Sequence, residues 1–277
     1  MALCPYCGKP AWILKRHHTE CREKYLRARE QIPALFEKLQ HSSIAIPRFV
    51  ELLTTAAASA GVPKDELGEL VIEGVLRMIN SIVENRLLSA TDESRIDEIL
   101  STLGIPLGSS ASLEGLFIKA QMLLEMNQGK VSDRVILEGP IPVTLRRSEI
   151  AVWAFNRTIG YIHPVREGEM ALEPIAEYYT KHAFRVDAGS VDGEVDRTYQ
   201  GDILLTNYSI HIIDLAKRQA RLPISRLLEI VPFTNAVKFT VGPKRREWTC
   251  FVNDPWFLAN AASVLHRNLR DQRASAE

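Results

Sequence analysis

Five side chains able to hold or activate something lie within the first 21 residues: Cys4, Cys7, His17, His18 and Cys21, in the stretch CPYCGKPAWILKRHHTEC. Thiolates and imidazoles in two close pairs are the ligand types of a tetrahedral metal site, which takes four donors. The stretch offers five, so one histidine is surplus. Short segments with ligands paired in this way point to zinc. Four protein donors would leave no position for an activated water, so the expected zinc is structural.

The surplus histidine stands among cations. Residues 1 to 30 carry seven basic against three acidic side chains, a net +4, whereas the whole chain of 277 residues balances 34 basic against 34 acidic. A compact basic end on a neutral chain is an electrostatic footprint for phosphates or for an acidic partner. Lys15, Arg16, Arg22 and Lys24 are therefore candidate nucleic-acid contacts. A histidine beside such groups could also cleave RNA without a metal. His17 would move the proton at the 2'-hydroxyl or the leaving oxygen, and Arg16 and Arg22 would stabilise charge on the phosphorane. The plainer reading is that the same cations bind nucleic acid or an acidic protein and cut nothing.

Other reactive residues are less organised. Lys244, Arg245 and Arg246 follow Gly242-Pro243 at an expected hairpin tip and read as a solvated turn, with phosphate headgroups as the alternative ligand. His163, His182 and His211 fall in expected strands, where a lone histidine is usually a hydrogen-bonded structural residue; His41 follows a helix end and His266 is expected exposed on a closing helix. Cys250 alternates with Trp248 and Val252 and reads as a small buried hydrophobe. There is no Ser-His-Asp order with a nucleophile elbow, no phosphate-cradling Gly-rich loop and no carboxylate cluster.

The elements that would position these residues are helical first and extended later. Apolar residues at near-helical spacing follow Cys21, with Pro33 predicting a kink or break. Ile46-Pro47 opens a second helix ending at Gly61, residues 65 to 88 make the clearest amphipathic helix, a shorter one stops at Gly104, and Leu113 to Met126 precede Gly129. From about Val131 the period becomes two. EIAVWAFNRTIGYIHPV predicts two strands around a turn at Asn156 and Arg157, and IAEYYTKHAFRV, GDILLTNYSIHIID and RQARLPISRLLEIVPF continue the pattern. AVKFTVGPKRREWTCFV predicts a hairpin turning at Gly242-Pro243, and Asp254-Pro255 caps a last helix with Trp256, Phe257, Ala261, Val264 and Leu265 on its apolar face.

Composition is that of an ordinary soluble globular chain, 46% apolar and 25% charged. No apolar run approaches the roughly 18 residues of a membrane span. The start, MALCPYCG, lacks the features of a secretory signal. Three of four cysteines fall in the metal-type pattern, which suits a reducing compartment, and the cytoplasm is expected.

Two resemblances add to this reading. GDILLTNYSIHII, LPISRLLEIVPFTNAVKFTVG and TCFVNDPWFLANAASVL resemble bacterial pleckstrin-homology-like and GRAM-like domains over roughly residues 131 to 270. The resemblance implies a seven-stranded bent sheet capped by the C-terminal helix and a binding role. The N-terminal segment is similar to a treble-clef or zinc-knuckle finger. That likeness implies a knuckle at Cys4-Pro5-Tyr6-Cys7-Gly8 and a second ligand pair made by Cys21 with His18 or His17. His18, three positions from Cys21, is preferred, although His17 at four could also reach. Zinc-finger ribonucleases of phage defence are similar in placing histidine and cations on such a finger.

The expected fold is α+β: a zinc finger over 1–30, a helical region over 31–129, and a PH-like β-barrel domain with a closing helix over 130–277. The expected protein is a cytosolic interaction protein whose finger engages RNA or another nucleic acid and whose other parts bind a protein partner or form a homo-oligomer. The alternatives are an antiphage ribonuclease triggered by a phage protein and a peripheral lipid-binding module.

Overall fold

The computed structural model describes residues 2–11, 16–131, 143–162, 197–216, 218–233 and 235–275. Lys15, His163, His182 and the expected strand IAEYYTKHAFRV lie outside them. The fold is mixed: helices and a two-stranded ladder in the N-terminal half, a large antiparallel sheet in the C-terminal half. The chain divides into two compact units, Met1–Gln121 and Met122–Glu277.

The first unit opens with β1 (Ala2–Leu3) paired to β2 (Pro10–Ala11), followed by α1 (Thr19–Leu39), α2 (Ile46–Ala60), α3 (Lys64–Val83), α4 (Ala90–Leu103) and α5 (Ala111–Asn127), which runs across the division. Of the kink or break expected at Pro33, the break does not occur. α1 continues through it, with Ile32, Pro33, Phe36 and Leu39 all buried. A proline inside a helix costs about 3 kcal/mol, and burial of this run against the bundle outweighs that. α3 ends at Val83, short of the expected residue 88. The stop is set from beyond it: Ser89 and Asp92 form a capping box that starts α4, and Arg86 turns over to hold the Asp92 carboxylate. Helices α2 and α4 end on left-handed Gly61 and Gly104, as their sequences predict.

The second unit holds β3 (Ala151–Ile162), β4 (Arg197–Thr206), β5 (Ser209–Asp214), β6 (Gln219–Pro223), β7 (Leu227–Pro232), β8 (Ala236–Val241), β9 (Arg246–Phe251) and α6 (Pro255–Ala274). The strands form one sheet in the order β6-β5-β4-β3-β9-β8-β7, antiparallel throughout. The expected turn at Asn156 and Arg157 is a correction: β3 is one strand, and its register against β4 slips between Phe155 and Thr158. Two polar residues that suggest a turn are here a bulge within a long strand. The expected barrel closure is also corrected. The edge strands β6 and β7 follow each other in sequence through a 3-10 turn, Ile224–Arg226, but no ladder joins them among the described residues.

Helix α6 begins as its sequence predicts, with the Asp254 carboxylate accepting from the Phe257 N–H at 3.0 Å. Its apolar face, with Trp256, Phe257, Ala261, Val264 and Leu265 buried, packs on β7, β8 and the 3-10 turn. The Phe257 ring meets Trp153 at 5.0 Å in a T-shaped contact and Phe155 at 6.4 Å. His266 is not exposed as expected: half-buried, it reaches the Ile224 carbonyl through Nδ1 at 2.8 Å. Cys250 is buried, and burial pushes its thiol up to about 12, so it is an inert core side chain.

Candidate metal centre

The β1–β2 turn delivers Cys4 and Cys7, and the start of α1 delivers His18 and Cys21. Glycine at position 8 adopts φ +67°, and its N–H bonds the Cys4 carbonyl at 2.9 Å while the Cys4 N–H bonds Lys9 O at 2.8 Å. This turns the chain so that two thiols point the same way. On the other side His18 is the extended residue preceding α1, and Cys21 stands in the first turn of the helix. The ligand atoms of Cys4, Cys7, His18 and Cys21 all lie within 4.8 Å of one another, so the four residues could hold a metal ion.

His18 Nδ1 is 3.3 Å from Cys7 Sγ and 3.7 Å from Cys21 Sγ. Its Nε2 lies 3.0 Å from the Pro10 carbonyl. A carbonyl can only accept, so Nε2 carries the proton and Nδ1 presents a lone pair to the thiols. Such an outer hydrogen bond fixes the tautomer and ring orientation of a metal-binding histidine. His17 stands apart from this cluster. Its ring is half-buried with its centroid 6.3 Å from that of Tyr6, edge to face.

The thiols are not equivalent. Burial pushes Cys4 up, but backbone N–H groups of His18, Tyr6 and Cys7 and the Cys7 side chain bring it down to about 6. Cys21 is raised by burial and then by hydrogen bonds and charge from Cys7 and Cys4. Thiolates crowded in this way repel one another unless a cation sits between them, and a coordinated thiol is deprotonated outright.

Of the candidate nucleic-acid contacts, Arg16, Arg22 and Lys24 are exposed; Arg16 has a left-handed backbone, φ +45°. At the β8–β9 tip, Lys244 and Arg246 are exposed and Arg245 is half-buried. No helix among the described residues is long and apolar enough to cross a membrane.

Sequence reasoning missed a second polar cluster, in the sheet unit. Buried Glu149 accepts from Thr206 Oγ1 at 2.7 Å, from His211 Nε2 at 2.9 Å and from Arg221 at 3.3 Å. Arg221 Nε also donates to buried Ser209 Oγ at 2.8 Å. Burial pushes the Glu149 carboxyl up, and the bonds from His211, Thr206 and the Arg146 N–H with the Arg221 charge outweigh it, holding the group at about 2. Only the alternation that put His211 in a strand hinted at this.

No protein-family model and no curated protein matches the chain.

Proposed function

We propose that the four-residue cluster holds a structural zinc ion and that the finger around it is a nucleic-acid-binding surface. The observation that carries the reading is the closed donor set, three sulfurs and one imidazole nitrogen, beside exposed Arg16, Arg22 and Lys24. Zinc bond lengths of about 2.3 Å to sulfur and about 2.05 Å to nitrogen put these atoms roughly 3.6 Å apart at a tetrahedral angle. The separations of 3.3 and 3.7 Å bracket that value. When bound, the ion supplies cross-linking of a segment too small to fold on its own core. The chain's own groups do the rest: the Pro10 carbonyl orients His18, and the cations meet phosphates.

The strand order, with the two edge strands consecutive in the chain and α6 packed on one end, supports the pleckstrin-homology-like reading of the sheet unit. We assign that unit and the helices to protein recognition or self-assembly. A second reading is favoured by one observation: His17 is held against Tyr6 outside the ligand set, with Arg16 next to it. On that reading the finger is a ribonuclease site.

One assay set tests both. Zinc-loaded protein is titrated with labelled single-stranded and duplex RNA and DNA at several salt concentrations, then incubated with the same RNA. The expected result is binding that weakens with salt. Arg22→Gln or Lys24→Gln, each removing one cation that neutralises a phosphate, should make the slope of log affinity against log salt shallower by roughly 0.7 to 0.9. No binding to any of these nucleic acids overturns the proposal. Cleavage that disappears in His17→Ala, with zinc retained, selects the ribonuclease reading.

A further inference from the structure

We infer that the metal centre is mechanically coupled to the helical bundle through Tyr6, with Gly61 and Glu66 as positioning residues that set how firmly the ion is held. This rests on the metal reading proposed above, and its positioning residues Gly61 and Glu66 lie far in sequence from every ligand. Tyr6 sits between the ligands Cys4 and Cys7, so its backbone belongs to the turn that aims both thiols. Two contacts pin it from outside.

The first contact is with the end of α2. Gly61 ends that helix at φ +74°, with its N–H bonded to Ala57 and Ala58 carbonyls. A Cβ built there would lie 2.1 Å from the Tyr6 carbonyl oxygen and 2.9 Å from its carbon. The knuckle backbone therefore seats on the bare face of the glycine, and no side chain fits between them. The second contact is a relay of side chains. The Tyr6 ring stacks on Tyr25 of α1 at 4.7 Å. The Tyr25 hydroxyl donates to Glu66 of α3, 2.6 and 2.7 Å from its two oxygens, and Arg29 Nε holds the same carboxylate at 2.9 Å. Tyr6, which lies between Cys4 and Cys7 with Pro5 before it, is thus linked through Tyr25 of α1 to the first turn of α3.

Coupling between two sites is reciprocal. An ion that fixes the knuckle fixes Tyr6 on Gly61 and Tyr25, and anything that lifts Tyr6 must loosen the ion. Gly104 provides a matched control: it also ends a helix with positive φ, +67°, yet an added Cβ would meet nothing within 4 Å. Gly61→Ala and Gly104→Ala share the backbone strain, and only the first displaces the knuckle.

The experiment measures zinc release from the full-length, zinc-loaded protein into a chromogenic chelator, together with hydrogen exchange of residues 61–67 before and after chelation. Release from Gly61→Ala is expected on the order of tenfold faster than from Gly104→Ala, because a weaker hold on the ion appears mainly in its dissociation rate. Glu66→Gln is expected to release severalfold faster than Glu73→Gln, which removes only a solvent-exposed pair with Arg77. Exchange of residues 61–67 should rise on chelation of the wild type. Equal release from the two glycine variants overturns the coupling; if Gly61→Ala does not fold, equal release from the two glutamate variants does so. Wild-type protein that binds no zinc overturns the metal reading and the coupling with it, an outcome distinct from zinc-bound protein with uncoupled variants.

Discussion

The finger and the sheet unit each gather polar groups at one point, but they stand in opposite relation to apolar burial. Among the described residues from Ala2 to Gln31 only Cys4 and Ala11 are buried. The sheet unit encloses Phe155, Ile203, Leu205, Ile212, Phe239 and Phe257 at 1% exposure or less, and its Glu149 carboxylate accepts from Thr206, His211 and Arg221. A segment with so little core offsets little of its chain entropy by burial, so it relies on other holds: its contacts with Gly61 and Tyr25 and, on the reading proposed above, an ion. A unit with ample core can carry a charged cluster at modest cost. The difference teaches where an ion would be structurally necessary: on the zinc reading proposed above the finger would depend on one, and the sheet would not.

The most damaging test of that contrast removes a ligand. Cys21→Ser should abolish zinc binding and unfold the finger, because structural zinc contributes about 10 to 16 kcal/mol to such modules near pH 7. Metal content and hydrogen exchange of residues 2–24 would show the loss. Exchange in β3, β4 and α6 should stay as in the wild type. If the sheet strands lose protection as well, the two regions do not differ in the way argued.

The complementary test attacks the core. Phe257 is fully buried against Trp153 and Phe155, and Phe257→Ala should cost the sheet unit about 3 to 5 kcal/mol in chemical denaturation. Zinc content should not change. A variant as stable as the wild type would mean that α6 does not close the sheet's core.

How legible each region was follows from how far apart its parts lie. The metal cluster falls within 18 residues, so ligand types and spacing disclose it directly; helix ends at Gly61 and Gly104 and the cap at Asp254 are local signals too. The choice between His17 and His18 was not local. Both spacings reach Cys21, and what separates them is that His18 turns Nδ1 into the cluster while its Nε2 meets the Pro10 carbonyl of β2. Asn156 and Arg157 read as a turn because a bulge and a turn share the same polar interruption; the partner that decides between them, β4, begins at Arg197. Whether Pro33 breaks α1 or lies within it is also not a local matter, since the packing that carries the helix through it comes from α2 and α3. The Glu149 cluster was the least legible, drawing residues from 149 to 221 that no periodicity relates.

The smallest expected effect sharpens the contrast by asking whether the sheet's cluster is held by its charge. Glu149 is held at about 2, below the 4.5 of an ordinary glutamate. A carboxyl depressed in the folded state adds stability that is present above its unfolded value and is lost as pH falls from about 4.5 through about 2. Glu149→Gln keeps an oxygen for Thr206 but removes the charge facing His211 and Arg221, so at pH 6 it should cost about 1 to 3 kcal/mol. As pH drops toward 3 the wild type loses this advantage and the variant has none to lose, so their denaturation midpoints should converge. Acid loss at other carboxylates, Asp214 among them, and at the cysteine and histidine cluster is common to both proteins and cancels in the difference. Midpoints that stay parallel from pH 6 to pH 3 would show that the cluster holds by shape and neutral hydrogen bonds, and the sheet would then depend on its apolar core even more completely than the contrast with the finger requires.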